Sequence, residues 1–322
     1  MWYELKLCIL DLKCIGNDLN INVFDKYGKV EAYQMTKPDE VAGRIKDCDV
    51  IITNKILLNK SNLINADKLK LICITATGTN NVDLDYTRQK GIAVTNVAGY
   101  STWSVTQHTF AMLFYVLEQL KYYDEFVKSG EYSRSDCFNN LDKPFSDIQG
   151  KTWGVIGLGA IGSAVASVAR AFGCKVIYYS TSGKNNNPEY QRAELDDLLK
   201  TSDIVSVHAP LNDRTKDLIQ YRHIGIMKKS AVLMNLGRGG IVNELDLALA
   251  LDDKLIAYAA VDVLEHEPIA QDNPLMQIKD KSRLLITPHI AWASIEARNR
   301  LIDEIATNIE AFINNESRNR VC

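Results

Sequence analysis

The chain has 322 residues, 46 % apolar and 24 % charged, with a formal net charge of −3. That length exceeds one comfortable core and suits two domains. The near balance of charge, with Lys and Arg scattered along the chain, gives no field for nucleic acid or an anionic membrane. The seven cysteines, at positions 8, 14, 48, 73, 137, 174 and 322, form no C-x-x-C pair. Neither a disulfide framework nor a zinc site is indicated, and no metal is expected. The first residues lack the apolar core of a signal peptide and no run reaches membrane-spanning length, so a reducing cytoplasm is the expectation.

In chain order, residues 5–10, 49–53, 71–75 and 92–95 read as strands. Helices are expected over 38–48, where Pro38 suits the first turn, and over 83–90. Alternation of this kind predicts an open parallel sheet. One long helix is expected over 103–128, then a polar, irregular segment over 129–150, long enough to serve as a functional or subunit-contact loop. Strands at 152–156 and 175–179 flank a helix over 163–172. Further strands are expected at 203–208, 231–236, 257–262 and 284–287, a helix over 244–251, and a long amphipathic helix over 295–314. The reading is an α/β protein in which one unit interrupts another: residues 1–100 plus 293–322 form a discontinuous substrate-binding domain, and 101–292 the dinucleotide-binding domain.

Between the strand at 152–156 and its helix lies Gly157-Leu158-Gly159-Ala160-Ile161-Gly162. A G-x-G-x-x-G is weak evidence alone but becomes a dinucleotide fingerprint inside a strand–turn–helix–strand unit. The first glycine permits the tight turn, the second lets backbone approach a pyrophosphate, and the third lets helix and strand pack closely. The N–H groups at the helix start attract the phosphate charge.

Three polar clusters fall just beyond expected strands, where open α/β sheets place ligands. They are Asn235-Leu236-Gly237-Arg238-Gly239-Gly240, Asp262-Val263-Leu264-Glu265-His266-Glu267-Pro268, and Thr287-Pro288-His289 running on to Trp292. A guanidinium grips a carboxylate bidentately and polarises a neighbouring carbonyl. A histidine supplies a proton to a developing oxyanion near neutral pH when a carboxylate holds it protonated. Arginine, glutamate and histidine in these places suit reversible reduction of a 2-oxo acid by a nicotinamide.

At these residues the chain resembles the D-isomer-specific 2-hydroxyacid dehydrogenases, over residues 76–83, 157–166, 227–238, 262–268 and 287–289. Within that family it is most similar to the glycerate dehydrogenases, also called hydroxypyruvate reductases, through Asn96-Val97-Ala98-Gly99-Tyr100 and above all His289-Ile290-Ala291-Trp292-Ala293. The resemblance implies two Rossmann-like domains, one flavodoxin-like and one NAD(P)-binding, each with a parallel sheet and with a cleft between, in a homodimer. It implies Arg238 on the substrate carboxylate and carbonyl oxygen, His289 as acid and base, and Glu267 as its partner. Backbone around Thr77, Gly78 and Thr79 would hold the substrate carboxylate. Asp262 would contact the nicotinamide carboxamide, while His208, Ala209, Pro210, Thr215 and the backbone of Asn235, Leu236 and Gly237 would line the cofactor site. The implied reaction is reduction of hydroxypyruvate to D-glycerate, with glyoxylate a further substrate. Another small 2-oxo acid, or a dinucleotide-sensing corepressor-like binding role, are the competing readings.

The residues leave two points open. No carboxylate follows the strand at 175–179, where one binds the ribose of NAD. Ser180, Thr181 and Lys184 stand there instead, so either NAD(H) or NADP(H) is admissible. Lys55 is the only positive charge beyond the strand at 49–53, which favours a small, unphosphorylated substrate. His108 is expected to give packing or cofactor-side support, and Trp292 to wall the pocket.

Overall fold

A computed structural model of the chain describes residues 4–322. The first three residues, part of the start read as lacking a signal-like apolar run, lie outside the described residues. The chain divides into two compact units, one of residues up to 101 with 293–322, the other of 102–292.

The first unit runs β1 (Leu5–Ile9), β2 (Gly28–Ala32), α1 (Val41–Ile45), β3 (Val50–Thr53), α2 (Lys60–Leu63), β4 (Leu71–Ile74), α3 (Leu84–Lys90) and β5 (Ala93–Thr95). Its five strands are all parallel, in the order β2-β1-β3-β4-β5. β3 and β4 are buried on both faces, which is why they read as unbroken apolar runs. β2 escapes a periodicity reading because it is a half-exposed edge whose Lys29 and Glu31 pair with each other at 3.1 Å. The helix expected over 38–48 is confined to α1, since Glu40 takes the Lys37 N–H at 2.8 Å and closes a turn before it. The C-terminal helix Ile295–Ile313 is N-capped by Ser294 and buries Leu301, Ile305 and Ile309 in this unit. The Tyr27 hydroxyl donates to its Ala306 carbonyl at 2.7 Å.

The second unit runs α4 (Thr102–Leu117), α5 (Leu120–Lys128), β6 (Thr152–Ile156), α6 (Ala160–Ala171), β7 (Lys175–Tyr179), β8 (Gln191–Arg192), α7 (Leu195–Thr201), β9 (Ile204–Val207), α8 (Tyr221–Gly225), β10 (Val232–Asn235), α9 (Glu244–Asp252), β11 (Tyr258–Val261) and β12 (Leu284–Ile286). Its seven strands are parallel, in the order β12-β11-β10-β9-β6-β7-β8. The order reverses between β6 and β9, the switch point at which such sheets bind ligands. Two apolar clusters form the core, one around Val207, Leu233 and Ile241, the other around Trp153, Val155 and Met234. The buried Trp153 indole N–H donates to Ser206 Oγ at 2.8 Å.

The single helix expected over 103–128 is two. Gln119 sits at φ 53° and its side-chain amide caps the Val116 carbonyl at 2.6 Å. α4 packs against α6, β10 and β11, whereas α5 buries none of its residues. The break falls where the chain leaves the core. Beyond it Phe138, Leu141 and Phe145 are exposed.

Candidate active site

The turn after β6 has the backbone a dinucleotide needs. Gly157 sits at φ +92°, and a Cβ there would crowd Ala209 at 3.0 Å. A Cβ at Gly162 would strike the Gly157 carbonyl oxygen, so the third glycine is required by helix–strand packing. Gly159 is different: a Cβ there would meet nothing. No contact within the chain requires this glycine, and the space it opens fits an approaching phosphate. α6 begins at Ala160 with no side-chain cap, leaving the N–H groups of Ala160, Ile161 and Gly162 for an anion.

Across the switch point, His208 follows β9. The residue is half-buried, but both ring nitrogens are buried and unpartnered. Burial pushes its pKa down to about 3, so the imidazole is neutral. Orphaned polar atoms of this kind are expected where a polar ligand completes the site. Open space at Gly159, an uncapped helix start and the His208 ring together fit a dinucleotide.

Three consecutive strand ends, of β10, β11 and β12, carry the candidate catalytic residues. After β10, the buried Asn235 side chain accepts the Gly237 N–H at 3.1 Å and donates to the Arg238 carbonyl at 2.9 Å. Its amide thus shapes the turn that presents the half-buried Arg238, whose Nη1 donates to the Gly237 carbonyl at 2.8 Å. After β11, Glu267 accepts the Leu264 N–H on Oε1 at 3.0 Å and meets His289 Nδ1 with Oε2 at 2.8 Å. Paired with an ionised carboxylate, which only accepts, the ring holds its proton on Nδ1 and leaves Nε2 for another partner.

His289 has a left-handed backbone, φ 55°. Asp262 holds it there. The Asp262 carbonyl accepts the His289 N–H at 2.8 Å, and its buried carboxylate accepts from Ile290 N, Ala291 N and Thr287 Oγ1 at 2.9, 2.9 and 2.6 Å. His108 Nε2 lies 3.2 Å from Thr287 Oγ1. Asp262, expected on the nicotinamide carboxamide, is held in place by this loop. Thr215, expected to line the cofactor site, is wholly buried; its hydroxyl donates to the Pro210 carbonyl and accepts the Asn212 N–H, so it shapes the turn following Ala209. Leu236 is buried and Trp292 packs on the Trp153 cluster.

In the first unit, Lys55 follows β3 and the turn of Thr77, Gly78 and Thr79 follows the neighbouring β4. The Thr77 hydroxyl donates to the Val97 carbonyl at 2.8 Å. A residue missed by sequence reasoning is Asp11, 2 % exposed just past β1. Its carboxylate accepts the Asn54 N–H at 2.9 Å and the Lys55 N–H at 2.7 Å. Burial pushes its pKa up, against the pull of those N–H groups. A carboxylate directly after the apolar run at 5–10 was the available signal.

Residues 110–291, more than half of the chain, match the family described as D-isomer specific 2-hydroxyacid dehydrogenase, NAD binding domain. The chain belongs to this family. A hydroxypyruvate reductase of Blautia hydrogenotrophica is 34 % identical over 96 % of this chain and 97 % of its own length. A glyoxylate reductase of Aeropyrum pernix is 34 % identical over 91 % of this chain and 89 % of its own. Among solved structures, an acyclic imino acid reductase in complex with NADPH and D-Arg superposes with a TM-score of 0.86 at 29 % identity, covering 99 % of this chain and 100 % of that one. The dehydrogenase is thus a two-domain α/β protein with an NAD-binding domain, and no helix among the described residues is long and apolar enough to cross a membrane.

Proposed function

We propose that this 2-hydroxyacid dehydrogenase reduces hydroxypyruvate to D-glycerate, reversibly, with NAD(P)H. The observation that carries the reading is the 2.8 Å His289–Glu267 pair, on the two strand ends next to that of Arg238. Bound reduced nicotinamide supplies the hydride that reaches the substrate carbonyl carbon. Arg238 grips the substrate carboxylate with two parallel N–H donors and turns a third toward the carbonyl oxygen. As negative charge develops on that oxygen, His289 Nε2 delivers its proton to it, and Glu267 Oε2 stabilises the imidazolium before transfer by its contact with Nδ1. In the oxidative direction Nε2 takes the hydroxyl proton back.

On this reading Thr77, Gly78 and Thr79 offer backbone N–H groups to the carboxylate and Lys55 favours an unphosphorylated substrate. Glyoxylate is the next candidate, supported by the name of the Aeropyrum relative. The exposed Phe138, Leu141 and Phe145 beside the uncovered α5 support a homodimer. Seven free thiols suit a reducing cytoplasm. The test is loss of reduced-nicotinamide absorbance with hydroxypyruvate, glyoxylate and pyruvate in parallel. Turnover highest with hydroxypyruvate supports the reading; a higher kcat/KM for either other acid overturns it.

A further inference from the structure

Cationic side chains gather at the turn after β7. Its backbone closes through the Gly183 N–H to the Ser180 carbonyl at 3.1 Å, with Gly183 at φ +72°. Two guanidiniums converge on consecutive carbonyls of this turn. Arg192 lies on β8, paired with Tyr178 of β7, and its Nη1 donates to the Gly183 carbonyl at 3.1 Å. Arg214 comes from the turn after β9, on the other side of the sheet order, and its Nη1 donates to the Ser182 carbonyl at 3.4 Å. Lys184 follows in the turn itself. Among the described residues, none of these three cations forms an ion pair with a carboxylate. Like charges held together cost energy unless an anion joins them.

The hydroxyls are set for such an anion. Ser180 Oγ accepts the Asn185 N–H at 3.2 Å and Ser182 Oγ accepts the Lys184 N–H at 3.2 Å. With an acceptor position filled by backbone, each hydroxyl has its own proton to donate. The Asn185 amide donates to the Leu158 carbonyl inside the glycine turn, so the cationic turn is tied to the place where the pyrophosphate is expected. The end of the second strand of such a unit is where the adenosine ribose lies, and a carboxylate that would repel a phosphate is missing there.

We propose that Arg192 and Arg214, with Lys184 and the Ser180 and Ser182 hydroxyls, form a site for the 2′-phosphate of the adenosine ribose, and that the chain selects NADP(H) over NAD(H). This rests on the dinucleotide reading of the glycine turn. Each guanidinium uses one donor on the turn and keeps the rest of its fork for phosphate oxygens.

The experiment is calorimetric titration of the full chain with adenosine 2′,5′-bisphosphate and with 5′-AMP, above pH 7 where the 2′-phosphate is dianionic. Tighter binding of the bisphosphate, by at least about tenfold, is expected from charge-assisted hydrogen bonds. R192A/R214A should bring the two affinities together while 5′-AMP binding stays within about twofold, since no 2′-phosphate is involved. Ser180→Asp should invert the preference by placing a carboxylate against the phosphate. Equal affinities in the unmodified chain, or a preference that survives R192A/R214A, overturn the 2′-phosphate site and leave the dinucleotide reading standing. Binding of neither ligand overturns the dinucleotide reading itself.

Discussion

The backbone N–H of His289 donates to the carbonyl of Asp262 at 2.8 Å, while the Asp262 carboxylate takes the two N–H groups that follow, of Ile290 and Ala291. One buried residue thus fixes the φ 55° conformation that aims the imidazole. Sparsely populated backbone of this kind persists only where the surroundings over-determine it.

In Asp262→Asn, the amide oxygen can serve Thr287 and Ile290, but the amide nitrogen then faces the Ala291 N–H. One buried donor is left unpaired, at a cost of about 1–3 kcal/mol. Chemical denaturation should therefore find a lower midpoint. A kcat loss larger than any change in nucleotide affinity should accompany it, because the displaced group is His289. An unchanged midpoint would mean that the carboxylate is not the anchor.

Glu267 makes a separate demand. Each of its oxygens meets an N–H, from Leu264 and from His289. Glutamine can accept only one of them and carries no charge to stabilise the imidazolium. Glu267→Gln should lower kcat by about 10²-fold, with KM changed far less, in steady-state assays over a range of substrate. A kcat within threefold of the parent, about 0.7 kcal/mol in barrier, would remove Glu267 from the proton path.

For Arg238 the informative change is to lysine. Lysine keeps the charge but loses the planar fork, so a bidentate carboxylate grip is lost even though Coulomb attraction remains. Arg238→Lys should lower kcat/KM by about 10²-fold, the scale of losing one or two charge-assisted hydrogen bonds. Retention of kcat/KM would leave only a point charge at that position.

What the sequence made legible was the set of residues whose chemistry is local. The glycine turn, Arg238, Glu267 and His289 stand in short strings immediately after apolar strands, and strand ends are where parallel sheets deliver ligands. Residues that act through distant partners were hidden. Asp11 meets Asn54 and Lys55 from 43 and 44 positions away, and Arg192 and Arg214 meet only across the turn after β7. For Asp262, nothing in its spacing reveals that its carboxylate closes on the loop after the next strand. The edge strands β2 and β8 lack a buried face and so lack a periodic signal.

His208 gives the chain a pH dependence with a defined sign. Burial lowers its folded pKa from the ordinary 6.5 to about 3. Between those values the unfolded chain takes up a proton that the folded chain refuses. Stability from this group is therefore intact above about pH 6.5 and is lost as pH falls, at a slope approaching 1.36 kcal/mol per pH unit. His208→Gln removes the titration. Between pH 7 and pH 5 the parent should lose up to about 2 kcal/mol more than the variant in urea unfolding. The two orphaned nitrogens are a second cost of the native ring, so the variant need not be the less stable protein at any one pH. Parallel pH profiles for parent and variant would place a proton on the folded His208 ring and contradict its burial as a neutral imidazole.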